Sequence, residues 1–135
     1  MELERALRIS AAGMTAQAAR LRVVAENIAN RDSTGESPGA EPYRRKTVAF
    51  GARLDRALGA EVVEVRRVGR AAGEFPTRFD PSHPAADANG YVRTPNVDSL
   101  VENMDMREAN RSYSANLAVL ETTRGMLSRA IEALR

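Results

Sequence analysis

His83 is the chain's one histidine, and Asp80 and Asp87 stand close enough to it in sequence to suggest a metal-binding loop. A hard cation needs more oxygen donors than these supply, and zinc needs more nitrogen or sulfur. The chain has no cysteine, which excludes thiolate ligands, cysteine nucleophiles and disulfides. The reading that remains is a proline-bounded loop in which Asp80 and His83 make local hydrogen bonds. Ser82 beside His83 forms no triad. Adjacent residues cannot converge as nucleophile and base, and no strand-turn-helix elbow surrounds the serine.

Glu102, Asp105 and Glu108 recur at three-residue spacing and share one face of a helix. Such a trio could bind a cation or work as acid and base. Arg107 and Arg111 lie close by, and a solvated or ion-paired face is the preferred reading. Tyr43-Arg44-Arg45-Lys46, with Arg66, Arg67 and Arg70, could form a basic patch. A net charge of +2 and a single aromatic in that run give little support for nucleic acid. A solvated strand face or a charged subunit contact fits better. No catalytic, cofactor-binding or metal-ligating residue is assigned.

Asn27 and Asn30 flank Ile28 at the end of a helical pattern. Asparagine is a poor interior helix residue, so two readings stand. The pair either caps a fraying helix or sets register against another helix.

The elements that carry these residues follow from the distribution of helix breakers. All six prolines and seven of the nine glycines lie between Arg31 and Asp98. Leu3, Leu7, Ser10, Met14, Gln17, Leu21, Val24 and Ile28 alternate at four- and three-residue steps, the seam of a helix that packs along its length. A second seam holds Tyr113, Leu117, Leu120, Leu127, Ile131 and Leu134. Ser99-Leu100-Val101-Glu102 has capping-box form and predicts where that helix begins. From Leu100 to Leu134 it would run roughly 50 Å, a length that favours a coiled coil or bundle. Between the helices, Arg44–Phe50 and Glu61–Val68 read as short strands, Asn89-Gly90 as a tight turn, and Ser33–Pro42 as linker. The expected fold is mainly α. N-terminal (1–30) and C-terminal (99–135) helices pair as an antiparallel-type coiled coil, and 31–98 form a loop with a small β-hairpin insert.

No run approaches the ~18 apolar residues that span a bilayer, so membrane insertion is not expected. The start, Met-Glu-Leu-Glu-Arg, lacks the basic and apolar regions of a cleaved secretory signal. Read without further context, these features also suit a cytoplasmic coiled-coil adaptor or export chaperone, a binding module with the same helix seams.

Leu21-Arg22-Val23-Val24-Ala25-Glu26-Asn27-Ile28-Ala29-Asn30, preceded by Ile9–Gln17, resembles the N-terminal signature of bacterial flagellar rod and hook proteins. Asn96-Val97-Asp98 through Met104, then Arg111-Ser112-Tyr113 and Asn116, looks like the matching C-terminal signature. The middle, Tyr43–Phe50 and Asp80–Val92, is similar to a proximal rod subunit of the flagellar basal-body rod family. Two departures stand out: Glu26 replaces the family's asparagine, and the loop from Arg31 to Glu41 is longer and more polar. The resemblance implies a structural protein without enzymatic activity or cofactor. It would polymerise helically with itself and other rod subunits into the shaft that carries torque from the motor to the hook. It would leave the cell through the flagellar export apparatus without a cleaved signal, reach the periplasmic part of the basal body, and meet the membrane-ring and export-gate base there. In that role Leu21, Val24, Asn27, Ile28, Asn30, Tyr113, Asn116, Leu117, Leu120, Leu127 and Ile131 would serve helix pairing and assembly. Arg44, Arg45, His83 and Tyr91 are the candidate contacts between subunits.

Overall fold

The computed structural model describes residues 2–135. The elements run α1 (Glu2–Ala29), β1 (Lys46–Asp55), β2 (Ala60–Arg70), β3 (Thr77–Phe79), β4 (Tyr91–Arg93) and α2 (Ser99–Ala133). Two long terminal helices enclose a small β insert, as the breaker distribution predicts. The insert holds two separate two-stranded sheets, β1-β2 and β3-β4, in place of the single hairpin expected.

In α1, Glu2 and Glu4 occupy the first turn, where negative charge complements the helix dipole. Both pair with arginines one turn on, Glu2 with Arg5 at 3.4 Å and Glu4 with Arg8 at 2.9 Å. The helix ends where Asn30 donates both its backbone N–H and its Nδ2 to the Glu26 carbonyl, at 3.1 and 2.9 Å. The start of α2 corrects the capping-box expectation. The cap is Asp98: its Oδ1 accepts the Leu100 N–H at 2.9 Å and its carbonyl the Glu102 N–H at 3.0 Å. The Ser99 hydroxyl accepts instead from Arg31 Nη1 at 3.3 Å, and the Glu102 side chain is withdrawn from solvent.

The strands of the first sheet reach further than their β-branched runs suggested. The connection between them explains the extension. Asp55 Oδ1 accepts the N–H groups of Ala57 and Leu58 at 3.0 and 3.2 Å, and Gly59, at φ +66°, donates back to the Asp55 carbonyl at 2.8 Å. This closes the hairpin between the last residue of β1 and the residue before β2. In the second sheet β3 and β4 pair antiparallel, with Thr77 opposite Arg93, Arg78 opposite Val92 and Phe79 opposite Tyr91.

The chain divides into two compact units. One holds the chain up to Leu21, Val48–Arg67 and Arg107–Arg135; the other holds Arg22–Thr47 and Val68–Met106. In the first, α1 and α2 approach where Gly13 faces Asn116. A β-carbon at Gly13 would lie 2.8 Å from the Asn116 Nδ2. Further along, Leu3 and Leu7 share a cavity with Leu127, so the two helices run in opposite directions there. The buried line of α2 is Glu102, Ala109 and Thr123, with half-buried Asn116 completing the seven-residue spacing.

Among the described residues the buried apolar core side chains are Ala16, Val23, Val24, Val62, Ala85, Val92 and Ala109. None is larger than valine. Small residues face inward, and Leu100, Val101, Met104, Val119, Met126, Leu127, Ile131 and Leu134 of α2 are exposed.

The close approach at Gly13 gives a direct test. Gly13→Val should lower stability by about 1–3 kcal/mol, the range for overpacking, seen as a lower urea midpoint. In an Asn116→Ala background most of that loss should vanish, because contacting substitutions are not additive.

Candidate functional site

The second unit contains a polar cluster built from segments far apart in sequence. Asn27 comes from the last turns of α1; Tyr43 and Arg45 from the extended approach to β1 and Lys46 from its first position; Asn96 from the segment before α2 and Glu102 from its first turn. The Asn27 side chain is 1 % exposed and makes four hydrogen bonds. Nδ2 donates to the Lys46 carbonyl at 3.0 Å and to Glu102 Oε2 at 3.3 Å. Oδ1 accepts from the Tyr43 hydroxyl at 2.7 Å and from the Lys46 N–H at 2.9 Å. That is the full complement of a primary amide.

Glu102 is 0 % exposed. Its Oε1 accepts from Arg45 Nε, while Asn27 serves Oε2. A carboxylate taken out of water costs several kcal/mol unless it is paired and hydrogen-bonded, and both conditions are met here. Arg45 is itself anchored. Its N–H donates to Asn96 Oδ1 at 2.7 Å, its carbonyl accepts from Ala71 N at 2.8 Å, and Nη2 lies 3.8 Å from Asp105 Oδ2. Beside the cluster Lys46 Nζ donates to Glu26 Oε2 at 2.7 Å.

Two groups are electrostatically perturbed. The hydrogen bond and charge of Lys46 hold the Glu26 carboxyl below its ordinary value of 4.5. A depressed carboxyl contributes stability above that value and loses it as pH falls through the lower folded value. Burial raises the Tyr43 phenol above its ordinary 10.0. The neutral hydroxyl is therefore favoured by folding, and its contribution is lost as pH rises from the ordinary value through the folded one.

Every donor and acceptor of Asn27 is occupied, and Glu102 is closed to solvent. Among the described residues no three His, Cys, Asp or Glu side chains converge to hold a metal. The arrangement fastens α1, the approach to β1 and the start of α2 together.

The candidate residues are distributed as follows. Asn27 and Arg45 meet in the cluster. Val24 is buried, and Leu21, Ile28 and Asn30 are half-buried on α1. Asn30 acts as the helix-closing residue, and its Oδ1 also accepts from the Ser33 hydroxyl at 3.0 Å. On α2, Tyr113, Asn116, Leu117 and Leu120 are half-buried, whereas Leu127 and Ile131 are 37 % and 52 % exposed. The Arg44 guanidinium stacks on Phe75, 4.3 Å from the ring centroid, and donates to the carbonyls of Ala71 and Gly73. His83 Nδ1 accepts the Ala85 N–H at 3.0 Å, which leaves Nε2 to donate to Thr34 Oγ1 at 3.1 Å. Tyr91 is exposed and meets Phe79 edge-on at 5.3 Å.

Glu102 is the member of the cluster that sequence reading misplaced, assigning it to a cap and to a surface carboxylate face. Its seven-residue spacing from Ala109, Asn116 and Thr123 is the signal that marks it as inward-facing. Asn96 and Tyr43 carry no comparable signal.

Two family profiles match the chain: "Flagella basal body rod protein" over residues 7–35 and "Flagellar basal body rod FlgEFG protein C-terminal" over residues 88–133. Among curated relatives, the flagellar basal-body rod protein FlgC of Agrobacterium fabrum is 52 % identical, covering 98 % of this chain and 96 % of its own length. The FlgC proteins of Bacillus subtilis and Salmonella typhimurium are 37 % and 38 % identical, covering 93 % and 91 % of this chain and 94 % and 91 % of their own lengths. The chain belongs to the FlgC family of flagellar basal-body rod proteins. It is a structural rod subunit. Both profile matches fall on the terminal helices and their flanks, and the second begins in the turn before β4 and takes in Glu102. Family membership decides against the adaptor or chaperone reading.

Asn27→Ala strips partners from Tyr43, Lys46 and Glu102, at about 1–3 kcal/mol for each group left buried and unpaired. The net loss should be about 2–4 kcal/mol, measured by urea unfolding. Lys46→Met should flatten the fall in stability on acidification below pH 4.5, seen by comparing urea midpoints on either side of that value.

Proposed function

We propose that this rod subunit acts as one segment of the flagellar proximal rod. Its terminal helices pair as an antiparallel-type coiled coil, and copies of it stack helically with other rod proteins. The resulting shaft carries torque from the membrane-ring and export-gate base to the hook. On this reading the chain travels through the flagellar export apparatus without a cleaved signal and works in the periplasmic part of the basal body. It performs no enzymatic step, uses no cofactor, and neither binds nucleic acid nor inserts into a membrane.

The observation that carries this reading is the set of large apolar residues left exposed on the second half of α2 and just past its end: Val119, Met126, Leu127, Ile131 and Leu134. Several large apolar side chains left exposed on one helix suit a site of association. Their presence on a helix whose inward line is small and polar suits a subunit that completes its packing only among neighbours. The heptad spacing of Glu102, Ala109, Asn116 and Thr123, and the opposed run of Gly13 to Asn116 and Leu7 to Leu127, support the coiled-coil pairing. Leu21, Val24, Asn27, Ile28, Tyr113, Asn116, Leu117 and Leu120 would hold the helices of one subunit together. Leu127, beside Leu3 and Leu7, would join that pairing at its edge, and Ile131 would face neighbouring subunits.

Of the four candidate contacts in the insert, Tyr91 suits a direct role because its ring is exposed. Arg44, Arg45 and His83 are engaged within the chain, and their part would be to hold the contact surface in shape.

Ile131→Asp separates folding from assembly. The exposed site should change subunit stability by no more than about 0.5 kcal/mol. Cells carrying it should nevertheless fail to swim, and the variant should be missing from purified hook–basal bodies by mass spectrometry. Normal swimming with stoichiometric incorporation would refute the assembly role of this face.

A further inference from the structure

The turn that leads into β4 contains a chemical lability that the rod function does not use. Of the chain's asparagines, only Asn89 is followed by glycine. Asn89 is exposed, and Gly90 carries no side chain to shield its backbone nitrogen. We infer that Asn89-Gly90 is a site of spontaneous deamidation and backbone isomerisation, held in check by the hydrogen bonds of its own turn.

The chemistry requires only water and hydroxide. The Gly90 backbone nitrogen gives its proton to hydroxide and attacks Asn89 Cγ. The bond from Cγ to the side-chain nitrogen breaks, and ammonia leaves with a proton from water. The resulting cyclic succinimide is opened by water at either carbonyl, giving aspartate or the β-linked isoaspartate. No electrons are transferred; one water is consumed for each ammonia released.

In the folded chain this attack is obstructed. The Gly90 N–H donates to the Asp87 carbonyl at 3.0 Å. Asp87 Oδ1 accepts the N–H groups of Asn89 at 2.8 Å and Tyr91 at 2.9 Å, and the Gly90 carbonyl accepts from Asp80 N at 2.9 Å. The nucleophile is occupied and the backbone on both sides is pinned, so reaction waits on local opening of the turn. The glycine itself cannot readily be exchanged. Its φ is +85°, and a β-carbon would lie 2.9 Å from Phe79 Cε2 and 3.1 Å from Pro81 Cγ. The fold thus keeps the reactive pair and restrains it with Asp87.

The product would be felt at once in the sheet. Isoaspartate inserts an extra methylene into the main chain two positions before Tyr91, whose register opposite Phe79 depends on the turn. Its new carboxylate also stands close to Asp87, a like charge. Reaction at Asn89 would therefore displace the exposed Tyr91 ring.

The test uses the full-length chain, incubated at mildly alkaline pH both folded and in urea. Conversion at residue 89 is followed by peptide mass spectrometry, and the β-linked product by labelling with an isoaspartyl methyltransferase. Conversion in urea should be fastest at Asn89, and the folded rate should be lower by about tenfold or more. Asp87→Ala should raise the folded rate towards the unfolded one and leave the rate in urea unchanged. Failure of Asn89 to convert in urea would overturn the inference. So would equal rates in both states, or an Asp87→Ala variant that reacts no faster when folded.

Discussion

A carboxylate with no access to water must find cations and donors inside the protein, and Glu102 imposes that requirement on everything around it. The Arg45 guanidinium answers one oxygen and the Asn27 amide the other. Each is then committed further: Arg45 to Asn96 and Asp105, Asn27 to Tyr43 and to both backbone groups of Lys46. The path of the chain from α1 through the approach to β1 and into α2 follows from these commitments. A buried ion pair sits near balance between desolvation and attraction. Its effect lies in what it excludes, since any arrangement that parts Arg45 from Glu102 leaves a charge buried alone.

This matters because the apolar core is thin. Valines and alanines supply the buried hydrocarbon; burial of a valine falls at the low end of ~1.5–3 kcal/mol, and an alanine buries less. Small residues let backbones come close, as Gly13 and Asn116 do, but they select poorly among sliding registers. The fully satisfied amide of Asn27 and the close fit at Gly13 supply the selectivity that alanine cannot. The large apolar side chains, meanwhile, are turned outward along α2. In a solitary globular protein that distribution would be a liability. On the proposed reading it is surface kept for neighbours.

The β insert repeats the pattern of local polar fastening around little hydrocarbon. Asp55 and Asp87 each use a side-chain oxygen to gather the N–H groups of a turn. Val92, 0 % exposed, is the one fully buried apolar side chain of β3 and β4. Arg44 reaches across to Phe75 and to the carbonyls of Ala71 and Gly73, so a residue from the basic run acts as a brace.

Backbone preference is local, and what depends on it was legible in the residues alone. The confinement of proline to residues 38–95 marked the two terminal helices, with Pro38 nine residues after Ala29 and Pro95 four before Ser99, and Asn89-Gly90 announced its turn. Strand β3 escaped because three residues, Thr-Arg-Phe, carry no period. The terminal signatures carried the family. Other features depended on partners distant in sequence. Ser99 and Glu102 have the form of a capping box, yet Asp98 caps the helix, because Arg31 claims the serine and Arg45 the glutamate. Asn27 was left between a cap and a register-setting contact; its four bonds to Tyr43, Lys46 and Glu102 decided that it is an internal fastening, while Asn30 closes the helix. Which way a helix turns its polar residues depends on whether charge and hydrogen-bond partners lie on the other side, and only the folded chain brings Arg45 to Glu102.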